Sequence, residues 1–139
     1  MAVPQDLWHT SVAVPQVSEM SPEKLDLLQG TLDLMVLQTL LVMGSLHGYG
    51  IARRIEQVSG NEALLNQGTI YASLVRLEQR GWIGSRWGTS DNNRKAKFYA
   101  ITAAGKRQLT ADARYWERLK DVMERVMTMD DSAKGGADA

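Results

Sequence analysis

The chain has 139 residues, 44% of them hydrophobic and none of them cysteine, a composition typical of one compact globular domain with tails. The lack of cysteine excludes disulfides and thiolate metal sites. His9 and His47 alone are too few for a zinc site, so we expect neither metal nor cofactor. No apolar run approaches the roughly 20 residues of a membrane span, and residues 1–20 lack a signal-peptide pattern. We therefore expect a soluble, cytoplasmic protein.

The net charge of zero hides an uneven distribution along the chain. Residues 31–107 carry ten Lys or Arg and five Asp or Glu, a net charge of +5, whereas residues 1–30 carry −3 and residues 108–139 carry −2. A basic middle segment favours a polyanion as partner. Modest charge fluctuations also arise without function, so charge alone leaves both interpretations open.

Both ends of the chain have the character of tails. Residues 1–20 contain two prolines and no sustained hydrophobic period, which predicts a flexible N-terminal extension. Met20 is followed by Ser-Pro-Glu, a capping residue, a first-turn proline and a first-turn acid. This pattern is typical of a helix start and suggests Met20 as the functional start of the protein. A disordered tail is predicted over residues 130–139.

Two helices are predicted before residue 60. Residues 31–43 are apolar nearly all round, which is typical of a helix buried on most sides, and Gly44 ends this helix. A second helix is predicted over residues 49–58, after a short loop. Its apolar face holds Ile51, Ile55 and Val58.

A third helix, over residues 67–80, is followed directly by a hairpin. Its buried stripe holds Ile70, Leu74 and Leu77, and Gly81 closes it at a position that favours a left-handed cap. Residues 82–87 and 95–101 are predicted strands, joined by a polar linker rich in turn-forming residues. A helix that leads into a basic hairpin is the layout of a winged helix-turn-helix. We therefore expect a mainly α fold with a small β-hairpin wing, and a DNA-binding domain over residues 21–101.

A long last helix is predicted over residues 103–127 or 103–129, with Thr102 as its cap. Its apolar residues recur at intervals of three and four, which approximates a heptad, and they form a seam of Leu109, Ala113, Trp116, Leu119, Met123 and Val126. The seam is longer than a small winged helix needs for its own core, so residues 102–129 are predicted to form a homodimerisation helix. The alternative is that this helix folds back on its own domain.

Six short motifs are spread along residues 28–127. They read Gly30-Thr31-Leu32-Asp33-Leu34, His47-Gly48-Tyr49-Gly50-Ile51, Gly68-Thr69-Ile70-Tyr71, Arg76-Leu77-Glu78, Gly81-Trp82-Ile83 and Tyr99-Ala100-Ile101-Thr102. In this order and spacing they resemble PadR-type transcriptional regulators. The resemblance implies a dimer, usually a repressor, with an N-terminal winged helix and a C-terminal dimerisation region. The single last helix implies the short-tailed subgroup.

The resemblance and the expected fold together predict double-stranded DNA with a palindromic operator as the partner, read by the third helix in the major groove and by the wing beside it. The matching tyrosine of PadR-like proteins approaches the DNA backbone, which assigns Tyr71 to a phosphate. The predicted DNA-binding residues are Gln67, Thr69, Tyr71, Ser73, Arg76, Asn92, Asn93, Arg94, Lys95, Lys97, Tyr49 and Arg53.

Several positions keep a second interpretation. Asn66 could cap the third helix or read a base, and Arg76 could bind a phosphate or pair with a nearby acid. Tyr49 could pack inside the domain, and the wing could be a solvated turn. Trp82 and Trp87 are interpreted as core or shielding residues.

Trp116 is the candidate for binding a small aromatic effector between two subunits, as the resemblance implies, because tryptophan can stack a flat molecule. The alternative is that Trp116 fills the dimer core. His47 lacks partners for metal or nucleophilic chemistry, so we expect it to have a loop or capping role and predict no enzyme. Two rival functions are a winged-helix module that binds another protein instead of DNA, and a regulator that answers to no effector.

Overall fold

The computed structural model describes residues 27–63 and 65–131, and this part of the chain forms four helices and one three-stranded antiparallel sheet. The elements in chain order are α1 (Gln29–Met43), β1 (Leu46–His47), α2 (Gly48–Ser59), α3 (Gln67–Gln79), β2 (Ile83–Thr89), β3 (Lys95–Ile101) and α4 (Ala103–Met127). This is the winged helix-turn-helix with a long last helix that the sequence predicts. The predicted N-terminal extension, the helix start after Met20 and residues 132–139 of the predicted tail lie outside the described residues.

The core lies between the first three helices and the sheet. Its buried side chains include Leu32, Val36, Leu37 and Leu40 from α1, Ile51 and Ile55 from α2, Ile70, Leu74 and Leu77 from α3, and Ile83 and Tyr99 from the strands. Each of the aliphatic side chains stabilises the fold by roughly 1.5–3 kcal/mol on leaving water. The apolar stripe predicted for α3 is therefore confirmed.

Two expectations about apolar faces are wrong in part. α1 has buried residues as far as Leu40, but the last turn, with Leu41, Val42 and Met43, is exposed. A helix that is apolar on every side has no period from which the sequence could identify its contacting face. Val58, predicted to share the buried face of α2, is 74% exposed.

The wing is the hairpin of β2 and β3, which pair in antiparallel register from Ile83 opposite Ile101 to Thr89 opposite Lys95. β3 lies at the centre of the sheet and pairs on its other edge with β1. The sequence predicts a loop where β1 lies, because two residues are too few to show a period of two.

α4 is fixed to the hairpin at its first turn. The Thr102 hydroxyl accepts from the backbone N–H of Gly105 at 3.0 Å and donates to the carbonyl of Gly81 at 2.7 Å, which confirms the predicted cap. Position 105 requires glycine, because a Cβ there would overlap the carbonyl oxygen of Trp82. Leu109, one turn further on, is 4% exposed and belongs to the core of its own domain. Its predicted place in the dimer seam is therefore wrong, since the first part of α4 packs on α1.

Candidate nucleic-acid interface

α3 begins with a reciprocal cap. The side-chain oxygen of Asn66 accepts from the backbone N–H of Thr69 at 2.9 Å, and Thr69 Oγ1 accepts from the backbone N–H of Asn66 at 3.2 Å. The Thr69 hydroxyl also donates to the Asn66 carbonyl at 3.0 Å. Capping, one of the two roles open for Asn66, is thus the role found, and the Thr69 hydroxyl proton is bonded within the protein.

The first turns of α3 present polar side chains to solvent. Gln67, Thr69 and Tyr71 are exposed, Tyr71 to 66%. The Gln67 amide and the Tyr71 phenol can each donate and accept hydrogen bonds. The positive end of the helix dipole and the first backbone N–H groups lie at the same end of the helix. This end of α3 is therefore chemically suited to phosphates and base edges.

Ser73 and Arg76 face α1 instead. Ser73 is fully buried, and its hydroxyl donates to Asp33 Oδ1 at 2.6 Å. Arg76 donates through Nη2 to the same oxygen at 2.6 Å and through Nε to Asp33 Oδ2 at 3.1 Å. The prediction that Ser73 shares the exposed face of α3 is wrong, because its helical position sets it beside a buried carboxylate that requires donors. For Arg76 the ion pair is the role found, and the acid comes from α1.

The tip of the wing is a closed turn. Ser90 donates from its backbone N–H to the Arg94 carbonyl and accepts at its own carbonyl from the N–H of Asn93, both at 2.8 Å. Asn93 has a left-handed backbone with φ of 61°, a conformation that asparagine tolerates. The side chains of Asn92, Asn93, Arg94 and Lys95 are all exposed. The turn therefore presents two cations to solvent.

A carboxylate joins α3 to the wing. Glu78 accepts from the Ser85 hydroxyl at 2.5 Å through one oxygen, and Lys97 Nζ lies 3.9 Å from the other. Lys97 Nζ also lies 5.9 Å from the ring centre of Tyr99. Burial raises the pKa of the Tyr99 phenol, and the nearby Glu78 carboxylate and Tyr71 raise this pKa further. The predicted phosphate-binding lysine of β3 thus has an acidic neighbour within the protein.

The first two turns of α2 carry the remaining predicted contacts. Tyr49 is 64% exposed, which excludes the interpretation that it packs inside the domain, and its hydroxyl accepts from Arg53 Nη1 at 3.2 Å. His47 Nδ1 accepts from the backbone N–H of Gly50 at 2.9 Å. The capping role expected for His47 is therefore confirmed.

Trp87 on β2 is an exposed residue for which the sequence predicts a core or shielding role. Trp87 is 62% exposed, and Lys95 Nζ lies 5.6 Å from its ring centre. Trp82, by contrast, is partly buried against the core. The two tryptophans differ in their place along the hairpin, since Trp82 lies at its start and Trp87 lies nearer the turn.

Beyond its first turns α4 exposes an apolar strip, which consists of Trp116, Leu119, Val122, Met123 and Val126 and whose members are 44–53% exposed. Val122 belongs to this strip although the heptad spacing omits it. Lys120 Nζ lies 5.6 Å from the ring centre of Trp116. A cleft of about 800 Å³ lies between α1 and the preceding part of α4, and its lining includes Leu41 and Ala113.

The part of the chain that the structure describes contains neither a membrane-spanning helix nor a metal-binding group. Within residues 27–63 and 65–131, no helix combines the length and apolar character needed to cross a membrane. No group of three or more His, Asp or Glu side chains in those ranges is placed to hold a metal ion.

Known proteins resemble this chain in sequence and in fold. A sequence model of the transcriptional regulator PadR-like family matches residues 36–111, a range that includes α3 and the wing. The structure of a transcriptional regulator from Clostridium thermocellum is 28% identical, with a TM-score of 0.63, over 70% of this chain and 93% of that one. The structure of a PadR family transcription regulator from Clostridium difficile is 29% identical, with a TM-score of 0.58, over 68% of this chain and 96% of that one. An uncharacterized protein of Lysinibacillus sphaericus is 29% identical over 102 residues, 73% of this chain and 93% of that protein.

Proposed function

The chain belongs to the PadR-like family of transcriptional regulators, and we propose that it is a homodimeric repressor that binds a palindromic operator in double-stranded DNA. In this proposal α3 of each subunit enters a major groove and the wing lies beside it on the flanking backbone. Because the proposed target is double-stranded DNA, the proposed place of action is the cytoplasm. The observation that carries the proposal is the exposed polar start of α3 in a winged-helix fold with a cationic wing tip.

The proposed DNA interface contains fewer residues than the sequence predicts. Base edges are read from the first turns of α3, where Gln67 offers its amide and Thr69 offers its methyl group, because its hydroxyl proton stays in the helix cap. Phosphates are bound by side chains of α2, α3 and the wing that are wholly or partly exposed: Tyr71, Tyr49, Arg53, Asn92, Asn93, Arg94, Lys95 and Lys97. Ser73 is excluded by its burial, and Arg76 acts by holding α3 on α1.

The homodimer is supported by the apolar strip of α4. A strip of five half-exposed apolar side chains on one helix is costly in water, and a second copy of the same strip is its natural cover. A pair of α4 helices related by a two-fold axis would bring two winged domains to one face of the DNA. The two half-sites would then lie about 34 Å apart, or a multiple of that distance.

Relief of repression by a small aromatic molecule is the last part of the proposal. Trp116 lies in the apolar strip with its ring 44% exposed, and a planar ligand between two such rings would change the packing of the α4 pair. Such a ligand alters DNA affinity only if it binds better to the arrangement that does not fit the operator. A regulator controlled by its abundance alone is the simpler alternative, and a ligand screen that compares the tryptophan fluorescence of wild type with that of Trp116→Phe distinguishes the two.

A gel-shift titration tests the DNA-binding part. The purified protein is titrated against the duplex upstream of its own gene, with a scrambled duplex as control and with salt varied. We expect tight, salt-sensitive binding that prefers the upstream duplex. Equal and weak binding to both duplexes would leave charge attraction alone and would favour a winged-helix module that binds another protein.

A further inference from the structure

We propose that Trp87 contacts DNA by packing its indole ring on the deoxyribose-phosphate backbone. The contacted backbone is the stretch that separates the groove entered by α3 from the groove beside the wing. The inference rests on the proposed function, because it takes double-stranded DNA as the partner. It adds an apolar contact to an interface otherwise made of polar and charged side chains.

The exposure of Trp87 requires an explanation in this fold. Trp87 lies within strand β2 and is 62% exposed. Tryptophan has one of the largest apolar side-chain surfaces, so leaving it in water is unfavourable. Trp82, at the start of the same hairpin, is partly buried against the core. A single exposed aromatic residue is not yet a site, so its surroundings decide what it can bind.

The register of the hairpin fixes the face on which Trp87 lies. Trp87 is paired directly with Lys97, and Ser85 is paired directly with Tyr99, so all four side chains share one face of the hairpin. That face is the one turned toward α3, because the Ser85 hydroxyl donates to Glu78 of that helix. Trp87 therefore extends the α3-facing surface of the wing toward its tip.

Two ammonium groups lie beside Trp87 on the wing. Trp87 is directly opposite Lys97 in the hairpin and has Lys95 Nζ 5.6 Å from its own ring centre. Lys97 Nζ in turn lies 3.9 Å from Glu78 Oε1 of α3, so this group of side chains begins next to that helix. We call Trp87, Lys95 and Lys97 the aromatic–cationic track.

The chemistry of the track fits a DNA backbone. Phosphates bind ammonium groups, and the sugars between them present C–H surfaces against which an indole ring can pack while its N–H donates to a phosphate oxygen. Glu78 borders the track, but its two oxygens face the Ser85 hydroxyl and the Lys97 ammonium. DNA is favoured over an acidic protein because the track lies on the face of the wing that is turned toward α3, the helix proposed to enter the major groove.

Tryptophan fluorescence of the full chain tests the assignment. Trp87→Phe is compared with wild type and with the matched variant Trp82→Phe, each titrated at low salt with a random-sequence duplex and with the duplex upstream of the gene. We expect both duplexes to change the emission of wild type and of Trp82→Phe. Most of that change should be lost in Trp87→Phe.

A second variant separates packing from charge. Trp87→Ala should weaken binding to both duplexes about tenfold, the loss expected when roughly 60 Å² of apolar surface stays in water. It should leave the slope of log affinity against log salt unchanged, whereas Lys95→Ala should flatten that slope. Since Trp87 is exposed, the unfolding midpoint of either Trp87 variant should match wild type.

The outcomes distinguish this inference from the proposed function. If the duplex shifts in a gel while Trp87→Phe keeps the wild-type emission change, the Trp87 contact is overturned and the exposed ring is available to a protein partner. If wild-type protein shifts neither duplex, the proposed function itself fails, and the contact fails with it.

Discussion

Asp33 on α1 binds Arg76 on α3 through two parallel hydrogen bonds, and the same carboxylate accepts a third from Ser73. The Asp33 side chain is 9% exposed and that of Arg76 is 23% exposed, so the pair is largely removed from water. A buried carboxylate that accepts from three donor atoms fixes the position of α3 on α1 more narrowly than apolar contacts can. Because α1 also packs on α4, one helix contacts both the recognition helix and the proposed dimerisation helix.

The first prediction concerns this pair. Asp33→Asn keeps the shape but leaves the Arg76 guanidinium without its counter-charge, and we expect a loss of about 2 kcal/mol in the free energy of unfolding. Arg76→Gln should lose a similar amount, and the double variant should lose less than the two together. Urea unfolding measures all three variants. Strict additivity would show that the ion pair makes no contribution of its own.

Local sequence signals account for most of the fold. The α3 stripe of Ile70, Leu74 and Leu77, the Gly81 helix end and the Thr102 cap each depend on neighbouring residues, and all are found as predicted. The errors concern contacts with distant parts of the chain.

Burial at three positions illustrates those errors. Ser73 is buried because of a carboxylate 40 residues earlier, which helical periodicity cannot register. Leu109 continues the spacing of the α4 seam, yet it packs within its own domain, since a heptad does not show where intramolecular contact ends. The exposure of Trp87 likewise depends on how far α3 covers the hairpin. The predicted DNA and dimer contacts stay predictions.

A second prediction separates the α3 cap from DNA binding. Asn66→Asp should keep the helix as stable as wild type, because aspartate caps as well as asparagine and its charge favours the helix dipole. The same charge would lie beside DNA phosphates, so we expect clearly weaker DNA binding in a gel shift. Asn66→Ala is the control, since losing the cap should cost about 1 kcal/mol of stability. Unchanged affinity for Asn66→Asp would place the start of α3 away from the DNA.

A third prediction concerns the wing tip. Changing Arg94 and Lys95 together to Ala should weaken binding to all duplexes and flatten the slope of log affinity against log salt by about 0.9 per lost phosphate contact. Both side chains are exposed, so the unfolding midpoint should not move. Fluorescence anisotropy over a salt series gives the slope. A slope equal to that of wild type would mean that the wing tip does not touch DNA.

A fourth prediction follows from the raised pKa of Tyr99. The folded protein holds the phenol proton more tightly than the unfolded chain does, so this contribution to stability is complete below pH 10 and is lost as the pH rises beyond it. The unfolding midpoint should therefore fall more steeply above pH 10 in wild type than in Tyr99→Phe, which keeps the ring but cannot ionise. Parallel pH profiles for the two proteins would contradict the assignment to Tyr99.

The last prediction concerns the apolar strip of α4. Changing Leu119 and Met123 together to Glu places two charges where two strips are proposed to meet, and an unpaired charge in an apolar interface is strongly unfavourable. We expect sedimentation velocity to show a dimer for wild type and a monomer for the double variant. Both residues are half-exposed in the single subunit, so the monomer should keep its helical circular dichroism.

Arg125→Glu is the matched control for this last experiment, since it changes the net charge by the same two units from a different face of α4. It should remain a dimer and keep operator affinity. The monomeric double variant should lose most of its preference for the operator, because each half-site would then be bound without the other. A double variant that still sediments as a dimer would place the interface elsewhere and would remove the support for Trp116 as an effector site between subunits.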